Sequence, residues 1–228
     1  MLARAREAGL AAMLAIGNGD TPAEVDCAIP YAEQHDWIWA TIGIHPHEAR
    51  LADRDAYEKM SLLARHPRVL AWGEIGLDYH YDHSPREVQR QVLTEQMELA
   101  AAAKNPIIIH CRPSDNSRNA WDDLWQLLRQ HWMGNGLGGI LHCFTGQEED
   151  ARAALDMGFM ISFAGNITYP KAQNIRKSPL KCHSTGFLSR PIRLILRRFL
   201  IAASAMNRLS WSRWRGKLPN CGAARNRR

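Results

Sequence analysis

Four apolar runs in this chain of 228 residues finish on a histidine or a glutamate, and that repetition limits the fold more than any other feature. Residues 38–44 lead into His45-Pro46-His47. Residues 69–72 lead into Gly73-Glu74-Ile75-Gly76-Leu77-Asp78-Tyr79. Residues 106–109 end in His110-Cys111-Arg112, and residues 138–141 in His142-Cys143-Phe144-Thr145-Gly146. Short apolar runs of this kind are buried strands. A carboxylate at the end of such a strand is costly unless it is paired or bound to a metal. One histidine at a strand end reads as a hydrogen-bonded loop residue, but four strand ends of the same kind read as a site. In a barrel of parallel strands the C-terminal ends converge on one face, where active sites sit. Glu and His meeting there form a donor set for a hard or borderline divalent cation.

The rest of the chain alternates in step with those runs. A short helix over residues 2–8 precedes a strand over 11–16. Thr21-Pro22-Ala23-Glu24 has the form of a helix start, with Thr as cap and Pro in the first position. That helix is expected to run towards His35, kinked at Pro30. Further helices are expected over residues 53–65, 84–104, 119–131 and 147–157, the second opening on Ser84-Pro85-Arg86-Glu87. Strands are expected over 37–44, 107–110, 139–142 and 159–163 besides the one carrying Glu74. Six strands in 176 residues, alternating with helices, predict an α/β fold with a parallel sheet. No Gly-x-Gly-x-x-Gly follows the first strand and no Gly-x-Ser-x-Gly occurs, so neither a dinucleotide site nor a serine nucleophile is indicated.

The motifs Gly43-Ile44-His45-Pro46-His47, Gly73-Glu74-Ile75-Gly76-Leu77-Asp78-Tyr79, Ile109-His110-Cys111-Arg112 and His142-Cys143-Phe144-Thr145-Gly146 resemble, in order and spacing, those of the TatD family of metal-dependent deoxyribonucleases. Asn166-Ile167-Thr168-Tyr169-Pro170 is similar to that family's seventh-strand region. The resemblance covers about residues 1–176. It implies a (β/α)8 TIM barrel that hydrolyses phosphodiester bonds with one or two divalent metal ions (Mg, Mn or Zn). It also implies Glu74 as the catalytic carboxylate and a metal ligand, with His110 and His142 as further ligands. Arg112 suits a phosphate, because its planar fork matches phosphate oxygens, or else a structural ion pair. Asp78 either orients a ligand from behind or caps the loop that follows. His45 and His47 either touch substrate or stiffen the loop around Pro46.

Two departures from the family pattern shape the expected architecture. The family opens on a strand bearing His-x-His, and here Met1 falls inside the helix that should follow it. Its eighth strand ends in Thr-Asp-Ser-Pro, which this chain does not contain. An incomplete barrel of about six of eight strands is therefore expected over residues 1–176, with an open edge prone to aggregation. Residues 1–176 hold 16 Lys and Arg and all 23 Asp and Glu, whereas residues 177–228 hold 13 basic residues and no acid. Reading residues 181–194 one base out of register allows V-P-L-D-R-I-L-V-E-T-D-S-P, and residues 199–210 allow P-H-R-G-K-R-N-E-P-A-F. Both are similar to C-terminal motifs of the family. Residues 177–228 are accordingly expected to be a basic tail, out of frame, non-native and poorly ordered.

The expected function is metal-dependent cleavage of DNA, impaired in this chain. Two alternatives stay open at this point. One is a small-molecule amidohydrolase or phosphotriesterase on the same barrel. The other is a non-enzymatic fragment whose basic tail, with Trp211 and Trp214, binds nucleic acid through charge and stacking. DNA is the expected partner, and neither a membrane nor an obligate protein partner is inferred. No apolar run is long enough to span a bilayer, the charged start at Arg4, Arg6 and Glu7 does not suit a signal peptide, and the five cysteines form no C-x-x-C pair. A cytoplasmic protein is expected.

Overall fold

A computed structural model of the chain describes residues 2–162 and 164. Among them run α1 (Leu2–Glu7), β1 (Met13–Ala15), α2 (Ile29–Gln34), β2 (Ile38–Ile42), α3 (Arg54–Leu63), β3 (Val69–Asp78), α4 (Arg86–Ala103), β4 (Ile107–Arg112), α5 (Asn119–His131), β5 (Gly139–Leu141), α6 (Glu148–Asp156) and β6 (Phe159–Ile161). All six strands are parallel and lie in the order β1-β2-β3-β4-β5-β6. Each new strand is added on the same side of the last, which is the winding of a (β/α)8 barrel. A doubly wound sheet would reverse direction at a switch point. The described residues form a curled, incomplete barrel of six strands, as the sequence predicts.

Alternation along the strands sends side chains to two different cores. Towards the helices, Ile38, Ala40, Ile42, Trp72, Ile75, Leu77, Ile107, Ile109 and Leu141 join Met60, Val92, Leu93, Met97, Trp121 and Leu124 in one cluster. On the opposite face, Ala71, Ile108 and Ile140 pack with the partly buried Leu14 and Met160, with no helical residue among them. This second set is the barrel interior. At roughly 25 cal/mol per Å² of apolar surface, the helix-facing layer supplies most of the burial energy that holds the strand ends in place.

Local chemistry sets several element ends. Asp53 caps α3 by accepting from the Ala56 N–H at 2.8 Å. Gln147 and Asp150 form a reciprocal capping box at the start of α6, and Arg118 and the Trp125 indole also donate to the Asp150 carboxylate.

Four expectations are corrected. The stretch after Thr21 forms only a 3-10 turn over Pro22–Glu24, and Pro30 lies in the first turn of a separate helix rather than at a kink. Proline suits that position because the N–H it lacks has no intrahelical acceptor there. Strand β2 stops at Ile42, and His45 caps a second 3-10 turn over Pro46–Leu51. Glu74 lies inside β3 rather than at its end, where the pairing with β4 shifts register between Trp72 and Ile75. Ser84 does not cap α4. Its hydroxyl donates to the His47 carbonyl at 2.7 Å and accepts from the Arg50 N–H at 3.0 Å. The expectations for Phe163, for residues 166–170 and for the tail lie outside the described residues.

Candidate metal centre

Glycine creates the space around Glu74. Gly76 has φ +148°, and a Cβ there would collide with the carbonyl of His110 on the neighbouring strand. Gly73 has φ +158°, and a Cβ there would stand 2.6 Å from the Ile108 carbonyl oxygen. Both positions favour glycine on conformation and on room. The close approach sets Gly76 opposite His110 and Asp78 opposite Arg112. With a period of two along each strand, Glu74 and Asp78 share a face with His110 and Arg112.

His110 stands between two carboxylates. Its Nδ1 is 3.1 Å from Glu74 Oε1, and its Nε2 is 3.0 Å from Asp78 Oδ2. Burial alone would lower the pKa of the ring, but the bonds to Asp78 and Glu74 outweigh it and push it up to about 9. Burial would raise the Glu74 carboxyl, yet the His110 bond and charge, with His142 and His45, bring it below its ordinary value. Asp78 is 1% exposed. Against the pull of burial, His110, the Tyr81 N–H and His47 hold its carboxyl well below the usual carboxylate range. His47 Nε2 lies 3.0 Å from the same Asp78 oxygen that faces His110.

His45 completes the cluster. Ligand atoms of His45, Glu74 and His110 all lie within 4.8 Å of one another. Donors held about 2.1 Å from one cation stand up to about 4.2 Å apart, so these atoms are grouped closely enough to close on an ion with small side-chain movements. Burial, and then the charge of His110, lower the His45 pKa to about 3, so the ring is neutral. Its Nδ1 accepts from the His47 N–H at 3.3 Å, which puts the proton on Nε2. In this tautomer His45 is a hydrogen-bond donor, and Glu74 and His110 are the stronger metal donors. His142 stands beside the group. Its Nε2 lies 3.1 Å from Cys143 Sγ and its Nδ1 3.4 Å from Ser162 Oγ. Burial raises the thiols of Cys111 and Cys143, the latter to about 11, so neither is a thiolate.

Three residues that position the site were not singled out in the sequence. Asn18 donates through Nδ2 to the carbonyls of Gly43, at 2.8 Å, and Glu74, at 2.9 Å, while its Oδ1 accepts from the Glu74 N–H at 2.7 Å. It thereby ties the end of β2 to the bulge that carries Glu74. Gln96 on α4 accepts from the Ile44 N–H at 2.7 Å and donates to the Ile44 carbonyl at 3.1 Å, directly before His45. Gln89, two turns earlier, accepts from the Asp78 N–H at 2.8 Å and donates to the Asp78 carbonyl at 3.1 Å. The available signal was two glutamines seven residues apart among the apolar positions of one helix, the spacing of a single face.

The family model for TatD related DNases matches residues 1–188. Over 146 residues the chain is 38% identical to an uncharacterized metal-dependent hydrolase, YabD, of Bacillus subtilis, covering 64% of this chain and 54% of that protein. Over 165 residues it is 36% identical to the 3'-5' ssDNA/RNA exonuclease TatD of Cronobacter turicensis, covering 72% of this chain and 59% of that one. Among solved structures it is similar to YJJV, a TatD homologue from Escherichia coli, with a TM-score of 0.69 at 29% identity over 79% of this chain and 66% of the other. The chain thus spans less than two thirds of the length of these two curated relatives. With the family match running through every strand that contributes to the Glu74 cluster, the chain belongs to the TatD related DNase family.

Proposed function

We propose that this chain carries the centre of a divalent-metal-dependent hydrolase that cleaves phosphodiester bonds of DNA. The observation that carries the reading is the Glu74–His110 pair, backed by Asp78 and flanked by His45 and Arg112 on one face of the sheet. Glu74 and His110 would hold the ion, with His142 as the further ligand expected from the family motifs. When bound, Mg²⁺, Mn²⁺ or Zn²⁺ would activate a water and neutralise charge on the phosphoryl oxygens. Asp78 accepts from Nε2–H of His110, and an ion bound beside Glu74 would take the place of the proton on Nδ1. Neutral His45 offers its Nε2–H to a phosphoryl oxygen. Arg112 offers a planar pair of donors to a neighbouring phosphate. His47 acts by bracing Asp78.

The same reading takes residues 1–176 as the hydrolase unit and residues 177–228 as a basic segment read out of frame. What supports it is the absence of acids after residue 176 and a family match that extends only to residue 188. Gene sequencing tests it, and an intact frame with no second reading would refute it. Cytoplasmic placement belongs to the proposal too. Cys27, Cys111 and Cys143 form no disulfide among the described residues, and no described helix is long and apolar enough to cross a membrane.

The deciding experiment incubates the purified chain with single-stranded DNA and, separately, a phosphotriester, each with Mg²⁺ or Mn²⁺. Slow shortening of the DNA, stopped by EDTA and by Glu74→Ala, is the expected result. Turnover of the triester with the DNA left intact would overturn the assignment.

A further inference from the structure

Beyond the cluster, a row of rings leads away from Asp78 towards solvent. His47 and His110 have centroids 6.3 Å apart, and His47 and Tyr81 are 5.6 Å apart, edge to face. Tyr81 lies parallel to His83, with centroids 5.6 Å apart and an interplanar angle of 10°. The Arg112 guanidinium carbon sits 4.7 Å from the Tyr81 ring centroid. Tyr81 is 51% exposed, a large aromatic surface left in water beside a buried ionic cluster. Its ring is not free to wander. Asp78 Oδ1 accepts from the backbone N–H groups of His80, at 3.0 Å, and Tyr81, at 2.9 Å. The carboxylate that orients His110 therefore also sets the turn that presents Tyr81.

The charges around this row suit an anionic strand. Among the described residues no carboxylate lies within ion-pair distance of Arg112. Of the acids on the surrounding loops, Asp82 pairs with Arg86, Asp115 lies 3.0 Å from His80, and Glu48 stands 3.7 Å from His45. An exposed ring beside an unpaired guanidinium combines stacking with phosphate contact, the arrangement that grips single-stranded nucleic acid. A duplex keeps the faces of its bases covered by their neighbours, so the platform takes an unpaired base.

We propose that Tyr81, seated against His83 and Arg112, is a stacking platform for an unpaired nucleobase of the strand whose phosphodiester reaches the Glu74–His110 pair. The inference rests on the phosphodiesterase reading and assigns Tyr81 to substrate binding. Tyr81 holds a base, Arg112 an adjoining phosphate, and their fixed separation sets how far along the strand the site works.

The test titrates the full chain, in EDTA so that nothing is cut, into a single-stranded thymidine oligonucleotide carrying one 2-aminopurine. A base-free oligonucleotide of the same length serves as control. Wild-type chain should quench the fluorophore. Tyr81→Ala should lose the quench and weaken binding of the base-bearing strand about tenfold, with no change for the base-free strand. Tyr81→Trp and Tyr81→Phe should restore both. The idea is overturned if wild-type chain gives no quench, or if Tyr81→Ala binds the base-bearing strand as tightly as wild type. Equal weakening for both strands would also overturn it, by making Tyr81 a mere support for Arg112. A normal quench together with no metal-dependent cleavage would count against the hydrolase reading alone.

Discussion

Replacing Gln96 by Leu removes the tie between α4 and the strand end that carries His45, while nearly keeping the volume. Gln96 is 0% exposed. Its Oε1 accepts from the Ile44 N–H at 2.7 Å and from the Trp72 indole N–H at 3.3 Å, and its Nε2 donates to the Ile44 carbonyl at 3.1 Å. Leucine would leave those three groups without these partners in a dry site, since Ile44 is 3% and Trp72 0% exposed. At about 1–2 kcal/mol for each of these neutral groups, the lower part of the usual range, the loss is roughly 3–6 kcal/mol. Better burial of the leucine side chain returns about 1–2 kcal/mol, for a net loss of about 2–4 kcal/mol. Urea unfolding followed by tryptophan fluorescence reads this directly. With a slope of about 2 kcal/mol per molar, the midpoint should fall by about 1–2 M. Gln91→Leu, exposed on the same helix, is the control and should move stability by less than about 0.5 kcal/mol. If Gln96→Leu is as mild as that control, the bonds are replaced by water and the tie contributes nothing.

Three further outcomes follow from the geometry. In metal-free chain the His110 ring has its pKa raised from 6.5 to about 9. The folded state therefore holds that proton more tightly than the unfolded one. This contribution, roughly 3 kcal/mol, is fully present below pH 6.5 and lost as pH rises through 9. Unfolding midpoints at pH 6 and pH 10 in EDTA should differ accordingly, and Asp78→Asn should shrink the difference; an equal difference in that variant would refute the assignment. Asn18→Ala should weaken Mn²⁺ binding about tenfold or more by calorimetry, because Glu74 loses its backbone brace, and unchanged affinity would show that the β3 bulge holds itself. Glu74→Ala should remove Mn²⁺ binding while leaving the far-ultraviolet spectrum of the chain intact, and a retained tight site would place the ion elsewhere.

How much was legible in the sequence depends on the range of the forces involved. The alternation of apolar strands with amphipathic helices is a local pattern, and it was enough for six parallel strands in order. The convergence of Glu74 and His110 followed as well, because adjacent parallel strands end on the same side. For Asp78 the sequence left open orienting a ligand or capping the next loop, and its two oxygens face both His110, at 3.0 Å, and the N–H groups of His80 and Tyr81.

Hydrogen bonds between distant segments were not legible. Ser84 has the sequence signature of a helix cap, yet the turn over Pro46–Leu51 offers its hydroxyl a better-placed acceptor and donor. Gln89 and Gln96 look like interruptions of an apolar face until the unpaired backbone at Ile44 and Asp78 is placed opposite them. Asn18 reads as a loop residue until the register shift in β3 exposes the N–H and carbonyl of Glu74 to it. The choice of which histidine joins the Glu74–His110 pair is a matter of ring orientation. His142 turns its nitrogens to Cys143 and Ser162 and would have to reorient to serve as a ligand, while His45 comes within 4.8 Å of the pair with its proton on Nε2. Residue type and strand order alone determined that an acid and a histidine would meet. Which neighbours orient them was decided only by the tertiary structure, because hydrogen-bond geometry depends on tenths of an ångström that no periodicity encodes.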